Sequence, residues 1–259
     1  MDARNSHDDR ILDQFTKQAN PFADKPEHSH RSAVQPIIER AEVAASHTVL
    51  DVACGPGLLA TALARVAKSV VGTDIVPAML ERAAIERDRA GLTNLRFDLS
   101  DARTLPYEDA SFDRVLTRFS FHHFEQPGAV LAEMVRVCKP GGLVAVIDVV
   151  PEPEKLAAYD EAERLRDPSH AGASTLAQVE ALFAEAGLAA RSIDLFQVPM
   201  ALEAQLAASF PLPGDADRLR ALFRRDVESG MDRLSMHAHE RDGALHFSYP
   251  CAIVVGEKH

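Results

Sequence analysis

One stretch constrains this chain more than any other: Val49-Leu50-Asp51-Val52-Ala53-Cys54-Gly55-Pro56-Gly57-Leu58-Leu59-Ala60. It begins as an apolar strand, breaks at a glycine-rich turn and continues with the spacing of a helix. Gly55 and Gly57 let the backbone approach a ligand that a side chain would block. A helix opening near Gly57 turns unpaired N–H groups toward whatever occupies the turn, which favours an anionic group. The same turn also serves simply to tighten a strand-to-helix corner. As a ligand site it has two readings. Gly55-Pro56-Gly57-Leu58-Leu59-Ala60 fits the dinucleotide pattern G-x-G-x-x-G/A, with Asp74 about 20 residues on, where a ribose-binding acid belongs. Against that, Asp51 stands inside the strand, where a dinucleotide-binding strand is normally apolar.

The surrounding composition narrows the partners. A chain of 259 residues can bury a full core and is most simply one enlarged domain. A net charge of -11 disfavours an unspecific grip on nucleic acid, which needs basic patches. The N-terminus is polar and acidic without a signal-peptide core, and no apolar run approaches the roughly 18 residues of a membrane span. A cytoplasmic protein acting on a small molecule, with no nucleic-acid or membrane partner, is expected, and a homodimer is compatible with the chain. Cys54, Cys138 and Cys251 are odd in number and fit neither a disulfide framework nor a zinc site; their apolar and glycine neighbours suggest reduced, packed thiols. His237, His239 and His246 have no cysteine or carboxylate at ligand spacing, so no metal site is expected.

Along the chain, residues 1–10 read as loose. Ile11, Leu12 and Phe15 suggest a short helix ended by Asn20-Pro21, and the His28, His30 pair precedes a helix over about 32–45. Lying before the first strand, residues 1–46 are expected to form a helical lid over the sheet's carboxyl edge. From Thr48 strand and helix alternate. Strands are expected at 48–53, 69–73, 95–99, 112–117 and 143–149, the last almost wholly apolar as a central parallel strand should be. Lys139-Pro140-Gly141-Gly142 reads as a turn. Residues 151–173 interrupt the alternation, and Thr175-Leu176-Ala177-Gln178 is a capping box that opens a helix ending at Gly187. Strands at 188–196 and 245–255 follow, and the long stretch between them, 197–244, reads as an inserted helical substrate lid. The expected fold is α/β: a doubly wound, mostly parallel seven-stranded sheet, Rossmann-like, with N-terminal helices and that lid. Residues 47–150 form its cofactor-binding core and 151–259 the remainder of the sheet.

Five segments in order decide between the ligands. The acid-x-small-x-Gly-x-Gly run from Asp51 resembles the first motif of the class I S-adenosylmethionine (SAM) methyltransferases. So do Leu99-Ser100-Asp101-Ala102 after the third strand, Leu105-Pro106-Tyr107, Ser111-Phe112-Asp113-Arg114-Val115 at the fourth strand and Lys139-Pro140-Gly141-Gly142 before the fifth. Arg118-Phe119-Ser120-Phe121-His122-His123-Phe124 and Arg166-Asp167-Pro168-Ser169-His170 extend the resemblance to the small-molecule subgroup related to the ubiquinone/menaquinone methyltransferases. The resemblance implies that Asp51, Ala53, Gly55 and Gly57 hold the methionine moiety. It implies that Asp74 accepts from the ribose hydroxyls, that Ile75 packs on the adenine, and that Asp101, with Ala102 beside it, accepts from the adenine amino group. Arg118 and Phe119 would lie near the methionine carboxylate and the sulfonium. Ala53 stands where many members have glycine.

Methyl transfer from a sulfonium is an in-line displacement in which the protein mainly orients and desolvates. An O- or N-nucleophile also calls for a base. The catalytic candidates are His122, His123, Asp148 and His170. Each has a plain alternative: the two histidines as loop caps packed among Phe119, Phe121 and Phe124, Asp148 as a partner of lid backbone, His170 as part of a good turn. Phe15, Phe22, Phe210, Phe223, Met200, Met231 and Met236 could line the pocket or merely form lid core. The expectation is a SAM-dependent methyltransferase acting on an O, N or C atom of a partly apolar or aromatic small molecule. The rivals are a SAM-binding enzyme that does not methylate, a SAM- or nucleotide-sensing protein without turnover and, more distantly, a dinucleotide-dependent oxidoreductase.

Overall fold

Five strands make the parallel half of the sheet: β1 (Thr48–Val52), β2 (Ser69–Asp74), β3 (Leu95–Leu99), β4 (Phe112–Arg118) and β5 (Cys138–Val149); all but the edge strand β3 are largely buried. The computed structural model describes residues 3–23 and 31–259, with the side chains of 7–19 and 34–259. The His28, His30 pair and the side chain of Phe22 lie outside the described residues. Two long strands, β6 (Leu188–Ala201) and β8 (Ala244–Lys258), add an antiparallel wing, and a short β7 (His239–Arg241) pairs with β8. The sheet order is β3-β2-β1-β4-β5-β8-β6. The expected seven strands are its main path, and β7 is an addition at its margin.

The sheet is doubly wound because successive residues of each strand feed opposite layers. Leu50, Val52, Val115 and Val144 pack with α5 (Pro127–Val137) and α7 (Leu176–Glu185). Val49, Leu116 and Ile147 pack on the other face with α2 (Arg31–Arg40) and α3 (Leu58–Ala64). Alternation with period two thus becomes two buried cores. The chain leaves β1 toward β2 on one side and returns to β4 on the other. That reversal opens a crevice at the carboxyl ends of β1 and β4.

Four differences from the sequence-based expectation matter for the site. Residues 3–10 are not loose: α1 (Ala3–Ala23) runs through them and past Pro21. Among the described side chains of that stretch the buried one is His7, so no apolar pattern marks it, although Gln14, Gln18 and Ala19 continue the buried face farther on. Second, α2 does not cover the crevice; Val34, Ile37, Ile38 and Ala41 pack on the sheet face. Third, Lys139-Pro140-Gly141-Gly142 sits inside β5 as a register break, since Phe112 pairs with Cys138 and Arg114 with Leu143. Fourth, β6 runs to Ala201 and β8 starts at Ala244, so the connection carrying α8 (Leu202–Ala207) and α9 (Asp215–Ser229) is shorter than expected. These helices share a third core with β6, β8 and α6 (Leu156–Arg166), which buries Met200, Phe223 and Met236; Phe210 and Met231 are exposed. The capping box forms as read, with Thr175 N–H donating to Gln178 Oε1 at 2.8 Å.

Candidate active site

A cavity of about 530 Å³ occupies the crevice. Its first wall is the glycine turn. Ala53 and Gly55 take left-handed φ values of 53°, and Gly57 one of 78°. Gly55 N–H donates to Asp74 Oδ2 at 2.8 Å, and Val76 N–H donates to Asp74 Oδ1 at 2.9 Å. Asp74 therefore ties the turn after β1 to the start of α4 (Pro77–Arg89), while each oxygen keeps a lone pair. Burial raises its carboxyl above the usual range, against the pull of those N–H groups. Gly57 does not line the cavity. A Cβ there would stand 2.9 Å from Ala83 Cβ and 3.0 Å from Phe97 Cζ, so Gly57 lets the helix close on its neighbours.

Asp51 is 1% exposed and its Oδ2 has no hydrogen-bond partner. Burial pushes its carboxyl up to about 8, opposed by the charge of Arg118. Burial likewise lowers Arg118, to about 10, and Asp51 resists that shift. The Arg118 guanidinium lies 4.5 Å over the Phe119 ring. Phe119, just past β4, takes a left-handed φ of 53°. Asp101 at the end of β3 is engaged by Arg103, whose Nη2 donates to Asp101 Oδ2 at 2.7 Å and to Asp8 Oδ2 on α1 at 2.8 Å. Burial alone would raise Asp101, but the bonds from Arg103 outweigh it and lower it. Ile75 and Ala102 line the same end.

The opposite wall carries the histidines. After β4 a single 3-10 turn, Phe121–His123, points both rings inward. His122 Nδ1–H donates to Asp148 Oδ1 at 2.6 Å, the tautomer that the carboxylate dictates. Phe121 N–H and Val149 N–H donate to the same carboxylate, each at 2.7 Å. Burial alone would lower the His122 pKa, but the Asp148 charge and hydrogen bond more than offset it, leaving it above its ordinary 6.5. His122 Nε2 has no hydrogen-bond partner among the described residues, and the residue faces the cavity. His123 Nδ1–H donates to the Ser169 carbonyl at 3.1 Å, and its ring meets Phe15 of α1 edge-on. Burial and the neighbouring His122 hold its pKa well below 6.5.

The site residues expected from sequence thus fall into two groups. Asp51, Ala53, Gly55, Asp74, Ile75, Asp101, Ala102, Arg118, Phe119, His122 and His123 share the cavity; Gly57, Asp148 and His170 do not. Asp148 reaches it through His122. His170 is turned the other way: its Nε2 bonds Asp160 Oδ1 at 2.8 Å, on the α6 side. It therefore does not meet the cavity, which corrects its reading as a base; Asp160 on the preceding helix takes the ring. Sequence reasoning missed His7 and Gln18 on α1, Glu163 on α6, and Gln205 and Tyr249, all of which line the cavity. Of these, the α1 pair was discoverable from the helical spacing of His7, Ile11, Gln14 and Gln18.

Residues 50–146 match the methyltransferase domain family. An uncharacterized methyltransferase of Bacillus subtilis, YcgJ, is 32% identical over 188 residues, covering 72% of this chain and 74% of that protein. The chain belongs to the class I SAM-dependent methyltransferases. Its fold superposes on the crystal structure of YcgJ with a TM-score of 0.81 at 26% identity, over 89% of this chain and 99% of that one. A demethylmenaquinone methyltransferase of Deinococcus radiodurans is 46% identical over 107 residues, which is 40% of this chain and 43% of that one.

The residues of this methyltransferase fit SAM. The cofactor's methionine part carries an ammonium and a carboxylate. Asp51, with an unpartnered buried oxygen, and Arg118, stacked over Phe119, are the opposite charges to match them. Lone pairs on Asp74 and the apolar Ile75, Val76 and Met79 suit an adenosine.

Proposed function

We propose that this methyltransferase transfers a methyl group to an O–H or N–H group of a small, partly apolar acceptor, with His122 as the base. The observation that carries the reading is the Asp148–His122 pair, whose second ring nitrogen faces the cavity without a protein partner. When bound, SAM supplies an electrophilic methyl group on a sulfonium whose sulfur leaves with the bonding electron pair. Asp148 holds the imidazole in the tautomer that leaves a lone pair on Nε2. Nε2 takes the proton of the acceptor as its oxygen or nitrogen bonds the methyl carbon. Asp51 and Arg118 fix the methionine end, and Phe119, Val149 and the α1 side chains Ile11 and Phe15 keep water from the line of attack. His123, neutral and bonded to Ser169, braces His122, its ring 4.2 Å away.

The apolar part of the chamber suits an aromatic acceptor, and a relative named for demethylmenaquinone is in keeping with that. Activity with SAM is tested by following S-adenosylhomocysteine release against a panel of phenols, catechols, hydroquinones and aromatic amines. Acceptor-dependent release that His122→Ala abolishes supports the reading. Full turnover in His122→Ala would remove the base. A protein that binds SAM yet never releases S-adenosylhomocysteine would fit the non-methylating or sensing alternatives.

A further inference from the structure

The acceptor end of the cavity has a charged floor that the base and the cofactor residues do not use. Glu163 and Arg166 on α6, Asp167 just after it and Tyr249 on β8 line the cavity, and all four are buried. They bond one another. The Tyr249 hydroxyl donates to Glu163 Oε1 at 3.0 Å. Arg166 Nε donates to Glu163 Oε2 at 2.9 Å, and its Nη1 to Asp167 Oδ2 at 3.3 Å. Two carboxylates against one guanidinium leave the floor one negative charge in excess. Tyr249 packs in the apolar cluster that holds Val149, Leu165 and Phe223, and Gln18, Gln205, Ser169 and Ser209 bond the network from the protein side. A desolvated ion pair stabilises a fold no better than apolar residues of the same volume. Its place on a cavity wall is therefore better explained by what the cavity receives.

We propose that this floor is a subsite for an uncharged hydrogen-bonding group of the acceptor, and that its excess carboxylate excludes acceptors bearing a carboxylate or sulfonate. The subsite deepens the methyl-transfer reading and rests on it. A hydroxyl or amide N–H can donate to a carboxylate lone pair without bringing a second charge. An anion set against Glu163 and Asp167 meets like charge where little water screens it. The arginines that line the cavity are engaged: Arg166 is bound by both carboxylates, Arg103 by Asp101 and Asp8, and Arg118 sits at the cofactor end beside Asp51.

Two fluorescent probes of one skeleton test this: uncharged phenylnaphthylamine and its sulfonate, anilinonaphthalenesulfonate. Each is titrated into the full chain loaded with S-adenosylhomocysteine. The uncharged probe should bind at least about tenfold more tightly than the anion. Glu163→Gln removes the excess charge and should strengthen binding of the anion by about fivefold or more, with S-adenosylhomocysteine affinity unchanged by calorimetry. Tyr249→Phe keeps the floor's charge and should keep the discrimination. Equal or tighter binding of the anion to the wild type would overturn the proposal. So would binding of neither probe, or loss of discrimination in both variants alike. Failure of the methyl-transfer reading has a different signature, namely no S-adenosylhomocysteine release with the discrimination intact.

Discussion

The two ends of the cavity are built by different means. Around Asp74 at the cofactor end the partners are close in sequence and backbone N–H groups do the holding. Gly55 donates to Asp74 across 19 residues, and the turn, β2 and the start of α4 lock together through one carboxylate. At the acceptor end the partners are remote and side chains do the holding. His7 Nε2 reaches the His123 carbonyl across 116 residues, and Gln18 reaches Asp167 across 149. The contrast has a physical basis. A strand-end cradle is fixed once the parallel sheet has formed, because its donors are main-chain N–H groups. A wall of side chains drawn from α1, α6 and β8 can be exchanged residue by residue without touching the sheet. The same scaffold can therefore keep one cofactor and take different acceptors.

The largest effect that separates the two ends is at His122. His122→Ala should lower kcat by about two to four orders of magnitude, with SAM affinity unchanged by calorimetry. Because the base must be neutral, kcat in the wild type should fall as pH drops through a value above 6.5, the direction in which Asp148 shifts the ring. A weakened SAM complex in His122→Ala would break the division between the ends. The matching change at the cofactor end is Gly57→Ala. With a left-handed φ of 78° and Ala83 Cβ 2.9 Å from the new methyl group, it should lose about 1–3 kcal/mol of stability. Thermal unfolding would report the loss, with weaker SAM binding beside it. An unchanged Tm would show that the turn relaxes more freely than the structure implies.

The same division governs what was legible in the sequence. Strand alternation, the glycine turn and the acids at Asp51, Asp74 and Asp101 are local patterns, and their positions follow from a parallel sheet whose carboxyl ends converge. Apart from the helical spacing of His7, Ile11, Gln14 and Gln18 on α1, the acceptor wall has no such local pattern. Among the described residues, the first turns of α1 bury His7 rather than an apolar side chain, so residues 3–10 look like solvent-exposed chain. Glu163 lies in an ordinary charged helix, and Tyr249 reads as one more alternating strand residue. His122 and His170 were equally visible as residues. Only Asp148, opposite one, and Asp160, opposite the other, decide which ring faces the cavity. Direction of a side chain depends on a partner far along the chain, which spacing does not encode.

A smaller effect tests how the cofactor end is charged. Asp51 is held at about 8 by burial, so its folded pKa lies above the ordinary 3.8. A raised acid stabilises the cofactor-free fold below pH 3.8, and that contribution is lost as pH rises through about 8. Pairing with an ammonium requires the carboxylate. SAM affinity should therefore rise with pH, by up to about tenfold per pH unit below the folded pKa, with release of about one proton. Calorimetry at pH 6 in two buffers of different ionisation enthalpy would measure it. Zero proton release would mean that Asp51 is ionised before the cofactor arrives and that Arg118 outweighs burial.

The smallest effect asks to which end α1 belongs. Through Phe15 on His123 and Gln18 on Asp167 the helix is part of the acceptor wall. Through Asp8 it also reaches Arg103 and so Asp101 at the adenosine end. The Asp8–Arg103 pair is partly solvent-exposed, and such pairs contribute about 0–1 kcal/mol. Asp8→Ala should accordingly weaken S-adenosylhomocysteine binding by no more than about fivefold and leave Tm within a few degrees. A loss of tenfold or more would mean that α1 closes on the cofactor as much as on the acceptor. The helix would then be the element that joins the two ends, and occupancy of one would alter affinity at the other.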